Sequence, residues 1–81
     1  MESTNLKEIL SYIVENLVET PSEISLQQVE QDDTITLQLK VAEADMGKVI
    51  GRQGRIAKEI RTILKASGLK EHKKVLVDIL D

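Results

Sequence analysis

The sequence predicts an α+β fold in the order α-β-β-α-α-β, with a three-stranded mixed sheet packed on one face by helices. Three patterns carry that expectation. Leu6, Ile9, Leu10, Ile13, Val14, Leu17 and Val18 repeat with helical period. Thr34 to Val41 alternates strictly, with Ile35, Leu37, Leu39 and Val41 on one face and Thr34, Thr36, Gln38 and Lys40 on the other. Ile56, Ile60, Ile63 and Leu64 then repeat at helical spacing before the apolar positions Val75, Val77 and Ile79. A helical crossover of that kind returns a parallel strand.

Taken in order, the first helix is expected over roughly residues 4–19. Asn5 and Glu8 form a capping pair (Ser3 and Thr4 are rival caps), and Pro21 ends the helix by pushing Thr20 out of helical geometry. Glu8, Glu15 and Glu19 fall on its polar face. Ile24 and Leu26 open a strand in which Val29 is out of phase, which implies a bulge or an exposed valine. Gln31-Asp32-Asp33 is a turn signal, so this strand and Thr34–Val41 make a hairpin with one buried face. Asp45 is read as the cap of a short helix carrying Met46, Val49 and Ile50. One of Val49 and Ile50 belongs to the core while the other lines a groove, and the sequence does not allocate them. After the long helix, Gly68 and Leu69 read as a helix end with its trailing hydrophobic contact. Leu76 and Leu80 point away from the buried face of the last strand.

Composition bounds the rest. Eighty-one residues suit one domain, 1–81, with one modest core. Phe and Trp are absent and Tyr12 is the only aromatic, so Ile, Leu, Val and Ala must fill that core. Without cysteine there is neither disulfide nor thiolate metal site. No leader-like or membrane-length apolar run occurs, and a cytoplasmic location is expected.

The net charge of −3 conceals an asymmetry. Residues 1–44 hold two basic and nine acidic side chains, a net of −7, whereas residues 45–74 hold nine basic and three acidic, a net of +6. Screening over about 8–10 Å lets a basic face act independently of distant acids. Within the basic block lies Val49-Ile50-Gly51-Arg52-Gln53-Gly54-Arg55-Ile56. Gly51 and Gly54 remove side-chain bulk where another backbone must come close. Arg52, Gln53 and Arg55 offer donors suited to phosphate oxygens. A helix starting near Gly54 aims its free N–H groups at the same place. A plain inter-helix turn explains one glycine; it does not explain two enclosing Arg-Gln and followed by Arg55. The reading is a clamp for a nucleic-acid backbone within a helix-loop-helix over about residues 45–67.

Catalysis finds no support. His72 is the only histidine, in the loop Lys70-Glu71-His72-Lys73-Lys74, where it is expected in solvent. The carboxylates are scattered over polar faces, and no hydroxyl has an evident base. Met46-Gly47-Lys48-Val49 lacks the upstream glycine and following hydroxyl of a Walker loop. Gly47 and Gly51 are expected to permit close approach of a helix, a sheet or a ligand backbone. No cofactor, metal or catalytic residue is expected.

The order α-β-β-α-α-β with Val-Ile-Gly-Arg-Gln-Gly at the helix–helix junction resembles the type II KH domain, a module whose G-x-x-G loop clamps about four backbone nucleotides. More narrowly, the run from Asp45 to Lys58 resembles the small bacterial single-KH proteins called KhpA. The resemblance covers nearly the whole chain and keeps both glycines and the basic residue between them. It implies an RNA-binding protein, an RNA chaperone by family, that homodimerises or pairs with a larger KH protein of the KhpB (Jag, EloR) type. It further implies a link to cell elongation, division and peptidoglycan homeostasis.

The mechanism expected is single-stranded RNA lying between the glycine loop and the second strand. Gly51 and Gly54 admit the sugar-phosphate chain, and Arg52 and Gln53 reach phosphates. Lys48, Arg55 and Lys58 add field. Val49 or Ile50, Ile56 and the strand Thr34–Val41 form an aliphatic floor. Neutralising about two or three phosphates predicts a slope of roughly −1.5 to −2 in log affinity against log salt, with little base selectivity. The rival is a protein-interaction adaptor whose fold serves dimerisation or docking, through Leu76 and Leu80 or the first helix.

Overall fold

A computed structural model describes residues 5–80. The rival caps Ser3 and Thr4, and the expected helical start at residue 4, lie outside the described residues. The elements run α1 (Leu6–Glu15), β1 (Ser25–Gln31), β2 (Thr34–Lys40), α2 (Met46–Ile50), α3 (Arg55–Leu69) and β3 (Lys74–Leu80). The predicted order and class are therefore those of the folded chain.

Asn5 caps α1, its side-chain oxygen accepting the Glu8 N–H at 3.2 Å. The helix then ends at Asn16, well before Pro21, which corrects the expected stop. Asn16 donates its side-chain amide to the Tyr12 carbonyl at 2.7 Å, and the Leu17 N–H bonds Val14 O at 2.9 Å. An asparagine that captures a helix carbonyl competes with continued winding. Leu17 and Val18 still pack on the core, from the connecting segment rather than from a helix face.

β1 and β2 pair antiparallel without interruption from Ser25↔Lys40 to Gln31↔Thr34. Val29 is thus an exposed valine and not a bulge, with half its surface open. Asp32 takes a left-handed φ of 55° in the two-residue connection, a conformation aspartate tolerates. β3 pairs parallel to β2, as the crossover rule requires, giving the sheet order β1-β2-β3.

The helices cover one face. Leu6, Leu10 and Val14 of α1 and Ala57, Ile60 and Leu64 of α3 meet Ile35, Leu37, Leu39, Val75 and Val77 of the sheet, all at most 5% exposed. Each such leucine or isoleucine contributes about 1.5–3 kcal/mol by leaving water. Ile63, read above with the apolar repeat of α3, is instead nearly half exposed. The helix needs only one stripe for the core, and Ile63 sits off it.

Gly68 is a second correction. It does not end α3 but lies buried inside its last turn. A Cβ there would collide with Val75 Cγ2 and stand 3.0 Å from the Lys73 carbonyl oxygen. Glycine lets β3 return directly against the helix. The left-handed residue of this connection is His72, at φ 59° and exposed to solvent. Leu69 is 71% exposed and makes no trailing contact of the expected kind.

Candidate nucleic-acid interface

The junction between α2 and α3 is built by backbone. Gly51 has φ 76° and ψ 174°; Gln53 (φ 58°) and Gly54 (φ 75°) are left-handed. The Gly54 N–H closes the bend on Gly51 O at 3.2 Å, and the Gly51 N–H finishes α2 on Gly47 O at 2.8 Å. A Cβ on Gly51 would lie 2.7 Å from Ile56 Cγ1, so this glycine answers to both backbone and packing. Gly54 has nothing within 4 Å of the same position. Its conformation demands glycine while its surroundings stay open. Gly47 likewise leaves open space where a side chain would stand, so among the described residues no other helix or strand packs against it.

Gly54 occupies the N-cap of α3 without a side-chain hydrogen bond, and the first turn of α3 holds no carboxylate. The unneutralised N-terminal end therefore faces the bend. Arg52, Gln53, Arg55 and Lys58 are exposed around it. Among the described residues none of Arg52, Arg55 and Lys58 has a carboxylate within ion-pair distance. Val49 is fully buried and so is the core member of the pair, whereas Ile50 is 36% exposed beside Gly51.

Lys48 does not join this group of free cations. Its Nζ donates to Glu19 Oε2 at 2.8 Å and lies 3.5 Å from Asp45 Oδ1. The hydrogen bond to Glu19 raises its pKa above the ordinary lysine value, partly opposed by desolvation and helped by Asp45. Two carboxylates occupy the charge that was expected to add field.

Asp45 stands at the N-cap position of α2, as expected, but its side chain does not do a cap's work. Its backbone is helical, its side chain makes no capping bond, and it is 2% exposed. The carboxylate accepts the N–H groups of Glu19 at 3.1 Å and Thr20 at 3.0 Å. These bonds, Glu19 foremost, hold its pKa below the usual carboxylate value against the opposing effect of burial, with Lys48 assisting. The segment leaving α1 is thereby tied to the start of α2, and α2 carries the glycine bend. Sequence reasoning missed this anchor because the partners are backbone amides about 25 residues away, which no side-chain pattern announces.

The expected floor also changes. β2 is the central strand, and its apolar side chains are 0–5% exposed beneath the helices. They are closed to any ligand. The strand next to the polar flank of α3 is the edge strand β3, where Arg61 Nε donates to Val77 O at 3.2 Å. The aliphatic surface left at the bend is Ile50 with part of Ile56. No metal-holding cluster of His, Cys, Asp or Glu occurs among the described residues, and none of their helices is long and apolar enough to cross a membrane.

This architecture is shared with known proteins. The family model described as KhpA/KhpB, KH domain matches residues 7–79. A Clostridium acetobutylicum protein called RNA-binding protein KhpA is 51% identical over 75 residues, covering 93% of this chain and 100% of that one. A Chlamydia trachomatis protein of the same name is 43% identical over 76 residues, covering 94% of this chain and 97% of that one. Among solved structures, a point variant of Aquifex aeolicus Era bound to GDP.AlF4- superposes with a TM-score of 0.65 at 22% identity. That match covers 91% of this chain and 29% of the Era chain, and shows the fold alone. With a KH-domain model matching from the first helix to the last strand, and relatives near half identity over almost the full length, the chain belongs to the KhpA/KhpB KH-domain family.

Proposed function

We propose that this chain binds single-stranded RNA, holding its sugar-phosphate backbone at the Gly51-Arg52-Gln53-Gly54 bend. The observation that carries the reading is the pairing of an open left-handed Gly54 with free cations at an uncapped helix start. Phosphate oxygens accept from the Arg52 guanidinium and the Gln53 side-chain amide, at the positive end of the α3 dipole. Arg55 and Lys58 add positive potential, and Ile50 offers an apolar edge to a base. The relatives named RNA-binding protein KhpA point the same way. Contacts of this kind position a strand without reading it, so sequence preference is low.

Family membership extends the proposal to RNA-chaperone activity and to work as a homodimer or beside a KhpB (Jag, EloR) type protein. It extends further to post-transcriptional control of cell elongation, division and peptidoglycan homeostasis in the cytoplasm. A second subunit raises avidity by holding a second weak site at high effective concentration.

The test is RNA recovered by crosslinking from cells carrying the Arg52→Asp, Gln53→Asp double variant. Recovery falls to background if the bend is the clamp. Undiminished RNA on a folded variant overturns it. A second reading, a docking module for protein partners, draws on the open sheet face, where Val29 and Leu76 flank Thr36 and stay 50% and 40% exposed. That reading predicts partner binding that survives both the double variant and nuclease.

A further inference from the structure

At the opposite end of α3 from the glycine bend lies an open recess of about 720 Å³, between the helix end, the 70–73 turn and the start of β3. Its size falls within the range of small-ligand sites, roughly 300–1,000 Å³. Lys65, Leu69, His72 and Lys74 line it, with Lys73 and Asp33. The Lys73 ammonium is occupied by Glu30 at 2.6 Å. Among the described residues Lys65 and Lys74 have no carboxylate within ion-pair distance, so two unpaired cations face one carboxylate, Asp33. The walls are held in place. The amides of Glu71 and Lys73 both bond the Gly68 carbonyl at 2.9 Å, and the Lys74 amide bonds Asp33 O at 2.7 Å. Leu69 supplies an exposed apolar surface beside these charges, a combination that suits a base joined to a phosphate.

A track leads there from the bend. Arg55, Lys58, Thr62, Lys65 and Leu69 fall within about 80° of arc on α3, given 3.6 residues per turn. The helix spans about 21 Å from Arg55 to Leu69 at 1.5 Å per residue. The buried stripe Ala57, Ile60, Leu64 and Gly68 occupies another side, so the track is open along its length.

We propose that this recess is a second anchoring site for the RNA strand, taking a nucleotide beyond those held by the glycine bend. Lys65 and Lys74 pair with its phosphate and Leu69 packs on its base. The inference rests on the RNA reading above, and the experiment separates the two. Fluorescence anisotropy is measured over a salt series with labelled oligouridylates of about four and about twelve nucleotides, lengths chosen against the KH footprint. The full-length chain is compared with K65E/K74E and with R52D/Q53D.

The longer oligomer binds the unsubstituted chain more tightly. K65E/K74E removes about 5- to 10-fold of that gain and lowers the salt slope by roughly 0.7, one phosphate's worth, while short-oligomer affinity stays the same. A K65E/K74E protein that keeps the whole length-dependent gain overturns the recess. R52D/Q53D leaving both oligomers unaffected overturns the clamp instead. Should the charge reversals impair folding, K65Q/K74Q gives the same comparison. Amide shifts at residues 69–75 of the unsubstituted chain provide an independent readout. Shifts with the longer oligomer and not with the shorter support the site, and their absence overturns it.

Discussion

The two ends of α3 both depend on glycine, and for opposite reasons. At the start, Gly54 adopts a left-handed conformation with open space where its side chain would be. At the end, Gly68 is an ordinary helical residue pressed against Val75 and the Lys73 carbonyl. One glycine leaves room for something outside the chain; the other leaves room for the chain itself. A glycine in a sequence therefore marks a close approach without saying whose.

Substitutions can break that contrast. Gly68→Ala has the largest effect on stability, because neither the stiff Val75 side chain nor the Lys73 backbone carbonyl can yield cheaply. The cost is about 2–3 kcal/mol, seen in a thermal melt as a fall of roughly 10–20 °C. Affinity per folded molecule for an RNA of about four nucleotides, held at the bend alone, stays unchanged, because the strain falls at the other end of the helix. If the melt moves by only a degree or two, the proposed packing role of Gly68 is wrong.

Gly54→Ala costs only about 1 kcal/mol of left-handed strain, yet weakens RNA binding about 10-fold by crowding the bend. Gly54→Asn, which tolerates the conformation, recovers most of the stability and not the affinity. A Gly54→Asn protein with full affinity would show that conformation alone matters there. Arg52→Asp with Gln53→Asp sharpens the same end. Melting moves by less than about 3 °C, since both side chains are solvent-exposed, while affinity drops at least 10-fold at low salt.

The anchor behind the bend makes a pH-dependent prediction. The Asp45 pKa is lowered in the folded chain, so the unfolded chain binds the proton more readily. Its contribution is complete above the ordinary value of 3.8 and is lost as pH falls through the depressed native value. Asp45→Asn lowers the melting temperature at pH 7 and flattens the acid limb below about pH 4. Lys48 and Lys73 are raised in the fold, so their share persists below 10.5 and fades as pH climbs past it. A variant whose acid limb matches the parent's excludes Asp45 as its source.

The smallest effect concerns Lys48. Glu19→Gln removes its nearest counter-charge at 2.8 Å and frees the ammonium for phosphate. Affinity rises about 2-fold, with a salt slope steeper by up to roughly 0.7. Unchanged binding would mean that Lys48 stays with Asp45 and never reaches the strand.

Strands and helices were legible because one-sided burial imposes a period: the alternation of Thr34–Val41 and the spacing of Ile56, Ile60 and Leu64 reappear as buried faces. The bend at Gly51 to Gly54 was legible too, since left-handed geometry restricts residue choice within a few positions. Other features were hidden. Ile63 matches the helical repeat as well as Ile60 does, and only the packing of the sheet reveals which is covered. Asp45 has the residue type of a cap, yet its partners lie in the segment after α1.

By itself the sequence determined the order of elements, the parallel return of the last strand and the chemistry gathered at the bend, because each follows from neighbours along the chain. Tertiary structure alone decided that β2 is closed off while β3 borders α3. It also decided that Lys48 is bound by Glu19 and Asp45, and that Gly68 serves packing. Those outcomes depend on which distant atoms share a few ångströms, and hydrophobic periodicity carries no record of such distances.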